Sequence, residues 1–550
     1  MRAVRMNPGG HTTKIAAQDR VWSALLAAAC VSILAALLLP TIDSDDALYA
    51  VVAREMLASG DWLNLRPDAR LVPRPPLTLW LVALSIRVGG ETALALRLWH
   101  ALLGVALVLA IYRLARLDGT RNEARLAALV YAITLQAFYH NFFPQQDVPL
   151  TLFLTLGFTE YLAYRSGRTG GAVLAGIWIA LAVLTKGIVA AVVFGSVVAA
   201  DLTIAWRRGR VGHWRWREVG VGALVFLVIA VPWFAAGVIT RGSAFVDTFF
   251  LQGDVGLGRF FATRFGPRHA YWQALLSYVP LLAAGFLPWT GWLPATLREG
   301  WRALRDAPMS LQLCAVWASL YFLGISVSPA DKEIRYLLPC FPPLAVLAGR
   351  VLARLMDDRR AARWAGAVLL AVGVAGLAAV WLSRSRFGGK DLLIYRIFLP
   401  GGVALFLALV ASGAAGLRGY GRQAVAIAAA GTLIAYGMLE WSVRSRWEWM
   451  YPWRTIAALV REHYRPGDRM VLAGDIMGET SFVFYYLSPP VDPGLVFPTS
   501  REHEAFLRHW AREGRAFGFL EEGSYAQLRD RFPHRVLARM PAGWVLVIKP

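Results

Sequence analysis

Apolar segments close to the length that spans a membrane recur along the chain from Val21 to about Glu440. An α-helix needs about 20 apolar residues to cross the hydrocarbon core of a bilayer. The first run, residues 21–42, is too long for the core of a signal peptide and lacks a convincing small-residue cleavage site. The pattern therefore predicts a polytopic α-helical membrane domain over residues 21–440, after a cytoplasmic N-terminus over residues 1–20.

The basic residues fall in short clusters between the apolar segments, and these clusters predict the topology. The clusters lie at residues 2–20, 113–125, 165–168, 207–217, 298–305, 350–363 and 418–422. Cytoplasmic loops carry an excess of arginine and lysine, so an even number of crossings must separate successive clusters. About thirteen crossings satisfy this rule, at residues 21–42, 94–112, 126–139, 149–164, 171–185, 187–202, 219–239, 272–293, 309–327, 336–349, 364–382, 397–416 and 424–440. The odd number leaves the C-terminal residues on the outer side.

Two large loops lie on the outer side in this topology, at residues 43–93 and 240–271. The second half of the first loop contains an apolar segment of 12 residues, 77–88. As a helix it would reach only about 18 Å, which is too short to span a bilayer. We expect this segment to lie along the membrane surface.

The C-terminal residues 451–550 have the composition of a soluble domain and alternate helical with strand patterns. Helices are predicted at residues 455–463 and 502–512, and strands at residues 470–473, 517–520, 536–537 and 544–548. These segments carry no phosphate loop and no catalytic fingerprint. The sequence therefore predicts a small C-terminal α/β periplasmic domain with a structural or acceptor-docking role.

Composition and charge exclude one class of partner. The chain has 550 residues, of which 57% are hydrophobic and 17% charged, and its formal net charge is +21. Such an excess would suggest nucleic acid, but most basic residues lie in the predicted cytoplasmic loops and form no stripe with stacking aromatics. We expect no nucleic-acid partner. The cysteines, Cys30, Cys314 and Cys340, lack metal-type spacing, which favours a packing role.

The segment after the first predicted helix combines acidic, basic and aromatic residues on the outer side. These residues are Asp43, Asp45, Asp46, Tyr49, Arg54 and Glu55. Three carboxylates at a membrane boundary repel one another and are costly near lipid unless cations pair with them. A helix N-cap with acidic first-turn residues is the structural alternative. It explains one of the three carboxylates well, so we interpret the group as part of a candidate site.

Further charged residues stand at predicted outer turns. Asp147 precedes a predicted crossing, where it is equally compatible with a plain helix N-cap. Lys186 interrupts a long apolar stretch, and a lysine at a membrane boundary is by default a functional candidate. Lys332, Arg335 and Tyr336 precede a later crossing on the same face.

His269 lies in the outer loop 240–271 among arginines and phenylalanines. Cations and aromatics beside a membrane suit a phosphate-bearing lipid headgroup and equally suit ordinary interface anchoring. Together with the carboxylates they fit sugar transfer from a lipid phosphate. A carboxylate deprotonates or orients the acceptor, and cations stabilise the phosphate as its charge develops.

Six short segments occur in a fixed order along the chain. They are DDALY at 45–49, AREMLASGDW at 53–62, PPL at 75–77, QDVPLT at 146–151, LTKG at 184–187 and RYLLP at 335–339. In order and spacing they resemble the GT-C superfamily of membrane glycosyltransferases, in the branch with the bacterial aminoarabinose transferases and protein O-mannosyltransferases. The resemblance implies a polyprenyl-phosphate-linked sugar donor, inversion at the sugar carbon, and an active site that faces the periplasm from the bacterial inner membrane.

The same resemblance implies roles for individual residues. Asp45 would be the catalytic carboxylate that acts on the acceptor, with Asp147 as the second acidic residue. Lys186 would be a cation near the donor phosphate, and Arg54 and Tyr336 would line the same cavity. Lys332 and Arg335 are further expected donor-phosphate or lipid-binding residues. The expected acceptor or secondary residues are Asp46, Tyr49, Glu55 and His269.

Residues 73–74 depart from the pattern of aminoarabinose transferases. Pro73 and Arg74 stand where those enzymes usually carry Glu-Lys. Arg74 can still bind phosphate, but the missing glutamate weakens the case for a metal at this point. No cofactor is certain, and a divalent metal is left open. The sugar is also open, as is the choice between lipid A, an envelope glycan and a protein as acceptor.

Two other classes of protein compete with the glycosyltransferase prediction. A transporter or flippase of a lipid-linked or anionic substrate would favour internal repeats and charges near the bilayer midplane. The chain has no evident repeat, and its candidate charges gather at one face. A structural membrane protein with a periplasmic interaction domain would leave the outer carboxylates and Lys186 unexplained.

Overall fold

The computed structural model describes residues 8–38, 44–63, 75–142, 145–210, 214–247, 249, 268–328, 332–386, 389–450, 453–473, 485–486, 495–497, 503–512, 514–540 and 543–550. Within these ranges the chain is helical up to Met450 and combines helices with strands from Trp453 onward. This change of secondary structure falls where the composition changes, although the predicted domain bounds stay predictions.

In chain order, the described α-helices are α1 (Pro8–Ala35), α2 (Ser44–Ser59), α3 (Pro76–Gly89), α4 (Ala93–Arg116), α5 (Arg121–Ile133), α6 (Leu135–Phe142), α7 (Asp147–Arg165), α8 (Gly171–Lys186), α9 (Val189–Arg207), α10 (Trp216–Arg241), α11 (Ser243–Val246), α12 (Arg268–Gly285), α13 (Leu293–Ala303), α14 (Met309–Val327), α15 (Phe341–Leu355), α16 (Arg359–Ser383), α17 (Gly389–Leu417), α18 (Gly421–Met450), α19 (Trp453–His463), α20 (His503–Ala511) and α21 (Glu522–Arg529). Three 3₁₀ segments accompany them, at Ala36–Leu38, Thr290–Trp292 and Ile334–Cys340.

Nine helical segments in the described part of the chain are long and apolar enough to cross a membrane. Each of them overlaps one of the thirteen predicted crossings. The other four predicted crossings correspond to the broken pair α5 and α6, to the more polar α7, and to the shorter α8 and α12. A multi-pass helical membrane protein is therefore confirmed, and the count of thirteen stays a prediction.

Two predicted crossings are wrong as single helices. The segment 126–139 is interrupted at Thr134, whose extended backbone separates α5 from α6. The Thr134 hydroxyl donates to the Tyr131 carbonyl (2.9 Å) and accepts the Ala137 N–H (3.3 Å), so it stabilises the break. In segment 272–293, α12 already ends at Gly285, and Pro288 follows, a residue that cannot donate to a continuing helix.

Helix ends and close helix contacts follow from local sequence. Helix α5 begins with a capping box, in which the Thr120 hydroxyl accepts the Glu123 N–H (3.2 Å) and the Glu123 carboxylate accepts the Thr120 N–H (2.7 Å). Further along, α5 crosses α15 at Gly349, where an added Cβ would lie 2.5 Å from the backbone nitrogen of Ala127. Small residues let membrane helices approach this closely.

The C-terminal part contains a five-stranded mixed sheet. Its strands are β1 (Arg469–Ala473), β2 (Leu495–Phe497), β3 (Ala516–Glu521), β4 (Arg535–Arg539) and β5 (Trp544–Lys549), in the spatial order β2-β1-β3-β5-β4. Strand β1 runs parallel to β2 and β3, whereas β5 is antiparallel to β3 and β4. The predicted strands all match, but the sequence did not predict β2 or α21.

The C-terminal part packs against the helices of the first predicted outer loop. Buried residues of α2 and α3, such as Met56 and Val82, share one hydrophobic cluster with Trp453, Ile456 and Phe519 of the C-terminal part. The opposite side of the sheet has a cluster of its own, built on α20, α21 and the strands. This shared core fixes the C-terminal part against α2, the helix that carries the predicted site residues Asp45 and Arg54.

Candidate active site

Asp147 and Lys186 form an ion pair where two neighbouring helices meet. Asp147 is the first residue of α7 and Lys186 the last residue of α8, and the Lys186 Nζ lies 2.5 Å from the Asp147 Oδ1. The Asp147 side chain is only 4% exposed and that of Lys186 is 23% exposed. Helix dipoles favour an anion at an N-terminus and a cation at a C-terminus, so both helix ends stabilise the pair.

Tyr336 and Arg335 join this pair. The Lys186 Nζ lies 4.8 Å from the centre of the Tyr336 ring, and the Arg335 guanidinium carbon lies 5.7 Å from the same centre. Arg335 also pairs with Glu333, with its Nε 2.8 Å from a carboxylate oxygen. Four residues predicted from three separate motifs therefore gather at one place, around the ring of Tyr336.

Lys332 has a different set of contacts. Its ammonium donates to the carbonyl oxygens of Ile325 (2.7 Å), Ser326 (2.9 Å) and Ser328 (2.5 Å) at the C-terminal end of α14. Three acceptors match the three protons of an ammonium, and a cation there complements the helix dipole. Burial lowers the pKa of Lys332 below its ordinary value. These contacts give Lys332 a helix-capping role, and its donor-binding role stays a prediction.

Buried polar side chains that the sequence analysis missed lie on the helices and the turn beside Asp147. They are His100, Gln136, His140 and Gln146. Asn141 of α6 is buried as well, beside Gly104 and Ile33. Both imidazoles lie within electrostatic range of Asp147. His100 and Gln136 stand inside predicted crossings, and His140, Asn141 and Gln146 stand in the stretch between two of them, so no local pattern marked these residues as a group.

Hydrogen bonds join part of this polar group to the Tyr336 segment. The His100 Nε2 donates to the His140 carbonyl oxygen (2.7 Å). The Gln136 amide nitrogen lies 2.9 Å from the His140 Nε2 and donates to the carbonyl oxygen of Ile334 (2.6 Å). Helix α6 is thereby tied to the 3₁₀ segment that carries Arg335 and Tyr336.

Several of these buried atoms have no hydrogen-bond partner within the described ranges. They are the Nδ1 atom of His100, the Gln136 Oε1, both amide atoms of Asn141 and the Gln146 Nε2. Each unsatisfied buried polar group costs about 1–3 kcal/mol, so such a set is unfavourable unless ordered water or a ligand satisfies it. Donors and acceptors in this arrangement fit a ligand rich in hydroxyl groups.

Other predicted residues lie outside this cluster or outside the described structure. Arg74 and the side chains of Asp45, Asp46 and His269 lie outside the described residues, although the backbone of Asp45 belongs to the first turn of α2. Tyr49 is buried in the core shared with the C-terminal part. Their predicted roles stay predictions, as does that of the half-buried Glu55.

Arg54 meets the C-terminal part. Its guanidinium forms an ion pair with Glu91, and one of its amino groups donates to the carbonyl oxygen of Tyr485 (3.1 Å). The Arg54 guanidinium carbon also lies 5.4 Å from the centre of the Tyr485 ring. The idea that Arg54 and Tyr336 line one cavity stays a prediction, because the described contacts assign them to two clusters.

The described side chains offer no group of three or more His, Cys, Asp or Glu that could hold a metal ion. The carboxylates of Asp43, Asp45 and Asp46 lie outside that comparison, because their side chains are not described. A divalent metal at the start of α2 therefore stays open.

The described helices thus bring a charged, polar cluster together at their ends. Residues 73–235 match the family model described as dolichyl-phosphate-mannose-protein mannosyltransferase. The chain is also similar to the crystal structure of ArnT from Cupriavidus metallidurans bound to undecaprenyl phosphate, with a TM-score of 0.74 and 23% identity over 99% of this chain and 98% of that one. This likeness establishes the fold.

Among curated relatives, the chain is similar to undecaprenyl phosphate-alpha-4-amino-4-deoxy-L-arabinose arabinosyl transferases. It is 30% identical over 357 residues to that of Edwardsiella ictaluri (62% of this chain, 61% of the relative). It is 32% identical over 345 residues to that of Pseudomonas aeruginosa (61% and 60%). The chain thus spans about 60% of the length of these relatives. The resemblance to aminoarabinose transferases of the GT-C superfamily is confirmed.

Proposed function

We propose that this protein is an inverting glycosyltransferase that moves a sugar from a polyprenyl-phosphate carrier, of the undecaprenyl-phosphate type, to an acceptor on the periplasmic face of the bacterial inner membrane. The observation that carries the proposal is the meeting of Asp147, Lys186, Arg335 and Tyr336 beside a buried polar cluster. Lipid A, an envelope glycan and a protein are the candidate acceptors, with aminoarabinose transferases as the model.

The relatives support the donor. The curated relatives are named as arabinosyl transferases that use an undecaprenyl phosphate sugar. The similar crystal structure contains undecaprenyl phosphate. A transporter or flippase has no comparable support, because the names of these relatives describe transfer.

Asp45 is the proposed general base. It stands in the first turn of α2, on the predicted outer side. A carboxylate there would take the proton of the acceptor hydroxyl as that oxygen attacks the anomeric carbon of the sugar. The bond from that carbon to the phosphate oxygen breaks on the opposite face, so the configuration inverts and the carrier phosphate leaves.

Lys186 and Arg335 are the proposed cations for the departing phosphate. The ion pair with Asp147 and the ring of Tyr336 hold the Lys186 ammonium in place before any substrate arrives. Fixed charges of this kind stabilise a developing anion without reorganisation. Arg74 is proposed for the same phosphate on sequence grounds alone.

The buried polar side chains are proposed to bind the sugar. The Gln136 Oε1 and both amide atoms of Asn141 are buried without a partner in the described chain, and His140 lies beside Gln136. Sugar hydroxyl or amino groups would satisfy them and would orient the anomeric carbon. This assignment explains why so many polar groups are buried in a helical membrane protein.

Lipid mass spectrometry on cells that carry wild-type protein or the Asp45→Asn variant tests the proposed function. A polyprenyl-phosphate sugar that accumulates in the variant, with loss of a glycosylated envelope product, would support it. The masses would also identify the sugar and the acceptor. If an equally abundant Asp45→Asn protein leaves both lipid pools unchanged, the proposed function is wrong.

A further inference from the structure

A polar cavity of about 390 Å³ lies where the C-terminal part meets the helices of the first outer loop. Its walls come from Arg54 of α2, from residues 91–93 at the start of α4, from α19 and from residues 485–486. We call it the arginine cavity, after Arg54, Arg454 and Arg461. It has a different lining from the cluster around Asp147 and Lys186.

Among the described lining residues of the arginine cavity, basic side chains outnumber acidic ones. Three guanidinium groups face one carboxylate, that of Glu91, among the lining residues that the structure describes. Arg454 and Arg461 are seven residues apart in α19, which is two helical turns, so they stand on the same face of that helix. Between them, Ile456, Ala457 and Val460 are buried, so the amphipathic pattern of α19 presents its arginines away from the core.

Contacts hold the cavity walls in place. Arg54 is bound on one side by Glu91 and on the other by the backbone of Tyr485. Arg461 donates to the carbonyl oxygen of Tyr486 (2.7 Å), which links α19 to the same short segment. A site whose cations are already positioned loses less conformational freedom when an anion binds.

The depth of the cavity points to a lipid phosphate. Ala93, in its lining, is the first residue of α4, a helix long and apolar enough to span the membrane. The other end of α4 carries Arg113 and Arg116 in its last turn, as expected for a cytoplasmic end. The arginine cavity therefore lies at the opposite boundary, at the level where lipid phosphates stand, and guanidinium groups bind phosphate through paired N–H donors.

We infer that the arginine cavity binds the phosphate of an anionic lipid in the outer leaflet. The phosphate has two sources with the same chemistry: a phosphorylated glycolipid acceptor, or the headgroup of a bilayer phospholipid. The inference rests on the proposed function for the outward orientation of this face. It adds a binding site for a permanent anion, separate from the site where the sugar is transferred.

Equilibrium binding to purified protein in phosphatidylcholine nanodiscs tests the inference. The first arm compares lipid A with dephosphorylated lipid A. We expect the wild-type protein to prefer the phosphorylated form, and Arg454→Gln or Arg461→Gln to weaken its binding by about fivefold to tenfold, because each removes a charge-assisted hydrogen bond. Arg529→Gln is the matched control, since it removes an exposed arginine elsewhere in the C-terminal part.

The second arm uses phosphatidylglycerol. Native mass spectrometry counts the phosphatidylglycerol molecules that stay bound to each variant. Loss in the Arg454→Gln and Arg461→Gln proteins, without any preference for the phosphates of lipid A, would assign the cavity to a phospholipid headgroup. If neither arm separates these variants from Arg529→Gln, the inference is overturned.

Two further variants guard against misfolding. Arg454→Lys keeps the charge and should retain part of the phosphate preference. Glu91→Gln removes the negative charge that opposes the arginines but keeps an amide oxygen that can accept from Arg54, so it should raise the affinity for phosphate, a direction that general damage would not produce. A lower affinity in Glu91→Gln with an unchanged thermal midpoint would count against the inference.

Phosphate binding can be measured without sugar transfer, so a failure of the proposed function can be distinguished from a failure of the inference about the cavity. If the Asp45→Asn protein changes no lipid pool while the arginine variants lose phosphate binding, the proposed function fails and the cavity stands. If transfer occurs normally and no variant changes phosphate binding, only the inference about the cavity fails.

Discussion

The two cationic clusters of this protein differ in how their charge is balanced. In the cluster around Asp147, the buried carboxylate pairs with Lys186, and Arg335 pairs with Glu333. In the arginine cavity, three arginines outnumber one described carboxylate, and Arg454 and Arg461 are exposed. Among the described residues, the first cluster has balanced charges and a buried carboxylate, whereas the second has more basic than acidic side chains and is open to solvent.

This difference in charge balance suits the two clusters to two different functions. A buried cation that is already paired stabilises best a charge that appears during reaction, because it is fixed in a region of low dielectric. An open, positive cavity attracts a group that is always charged, although salt screens it. Helix α2 connects the two functions, since it carries the proposed base Asp45 in its first turn and Arg54 later in the same helix.

Replacement of the proposed base should have the largest effect. We expect Asp45→Asn to lower kcat by about 10²- to 10⁴-fold, because the acceptor hydroxyl would lose its proton acceptor. Asp61→Asn is the control, a carboxylate just beyond the end of α2 whose change should leave kcat near the wild-type value. Transfer assays with purified protein and labelled donor measure both. Equal losses of kcat in the two variants would contradict the role of Asp45 as general base.

Breaking the buried ion pair should cost stability as well as activity. Lys186→Met leaves the Asp147 carboxylate buried without its cation, which should lower the free energy of unfolding by about 3–5 kcal/mol. The double variant Lys186→Met/Asp147→Asn carries no unpaired charge and should recover most of that loss. Unfolding in mixed micelles measures each variant. If the double variant is as unstable as Lys186→Met, the unpaired Asp147 carboxylate is not the cause of the lost stability.

Lys332 offers a smaller, structural contrast to Lys186. Lys332→Met removes three hydrogen bonds to the end of α14 and should lower the free energy of unfolding by about 1 kcal/mol. Its effect on the donor KM should be smaller than that of Arg335→Gln. The opposite order of KM effects would restore the predicted donor-binding role of Lys332.

The smallest expected effect is that of added salt, which should act differently on the two clusters. A rise from low to about 0.5 M salt shortens the Debye length to a few ångströms, so it should weaken binding of the lipid phosphate at the arginine cavity by a few fold. The buried Asp147–Lys186 pair is screened less, and kcat should change little. A kcat that falls with salt as steeply as the affinity for the lipid phosphate would contradict the separation.

Much of the fold could be predicted because long apolar segments and short basic loops are local signals. The helices α4, α14 and α16 lie close to their predicted crossings. The break at Thr134 could not be predicted, because threonine is tolerated inside helices and its capping bonds form only in the folded chain. The short strand β2 was missed because its three residues carry too little pattern.

The candidate site was predictable where a residue conflicts with its surroundings. Lys186 interrupts an apolar stretch, and Asp147 begins a helix on the same side, so the sequence alone marked both. The contact of Arg54 with Tyr485 joins residues 431 positions apart, which no local pattern reveals. The arginine cavity could not be predicted either, because its walls come from α2, from the start of α4 and from the C-terminal part, which are far apart in the sequence.

The most direct test of the central claim is kcat for the Lys186→Met/Asp147→Asn protein at saturating donor and acceptor. This variant should be folded but should lack the cation for the departing phosphate, so we expect kcat to fall by about a hundredfold or more. Arg529→Gln, measured beside it, should keep the wild-type kcat. A double variant that turns over within a few fold of wild type would contradict the assignment of sugar transfer to this cluster.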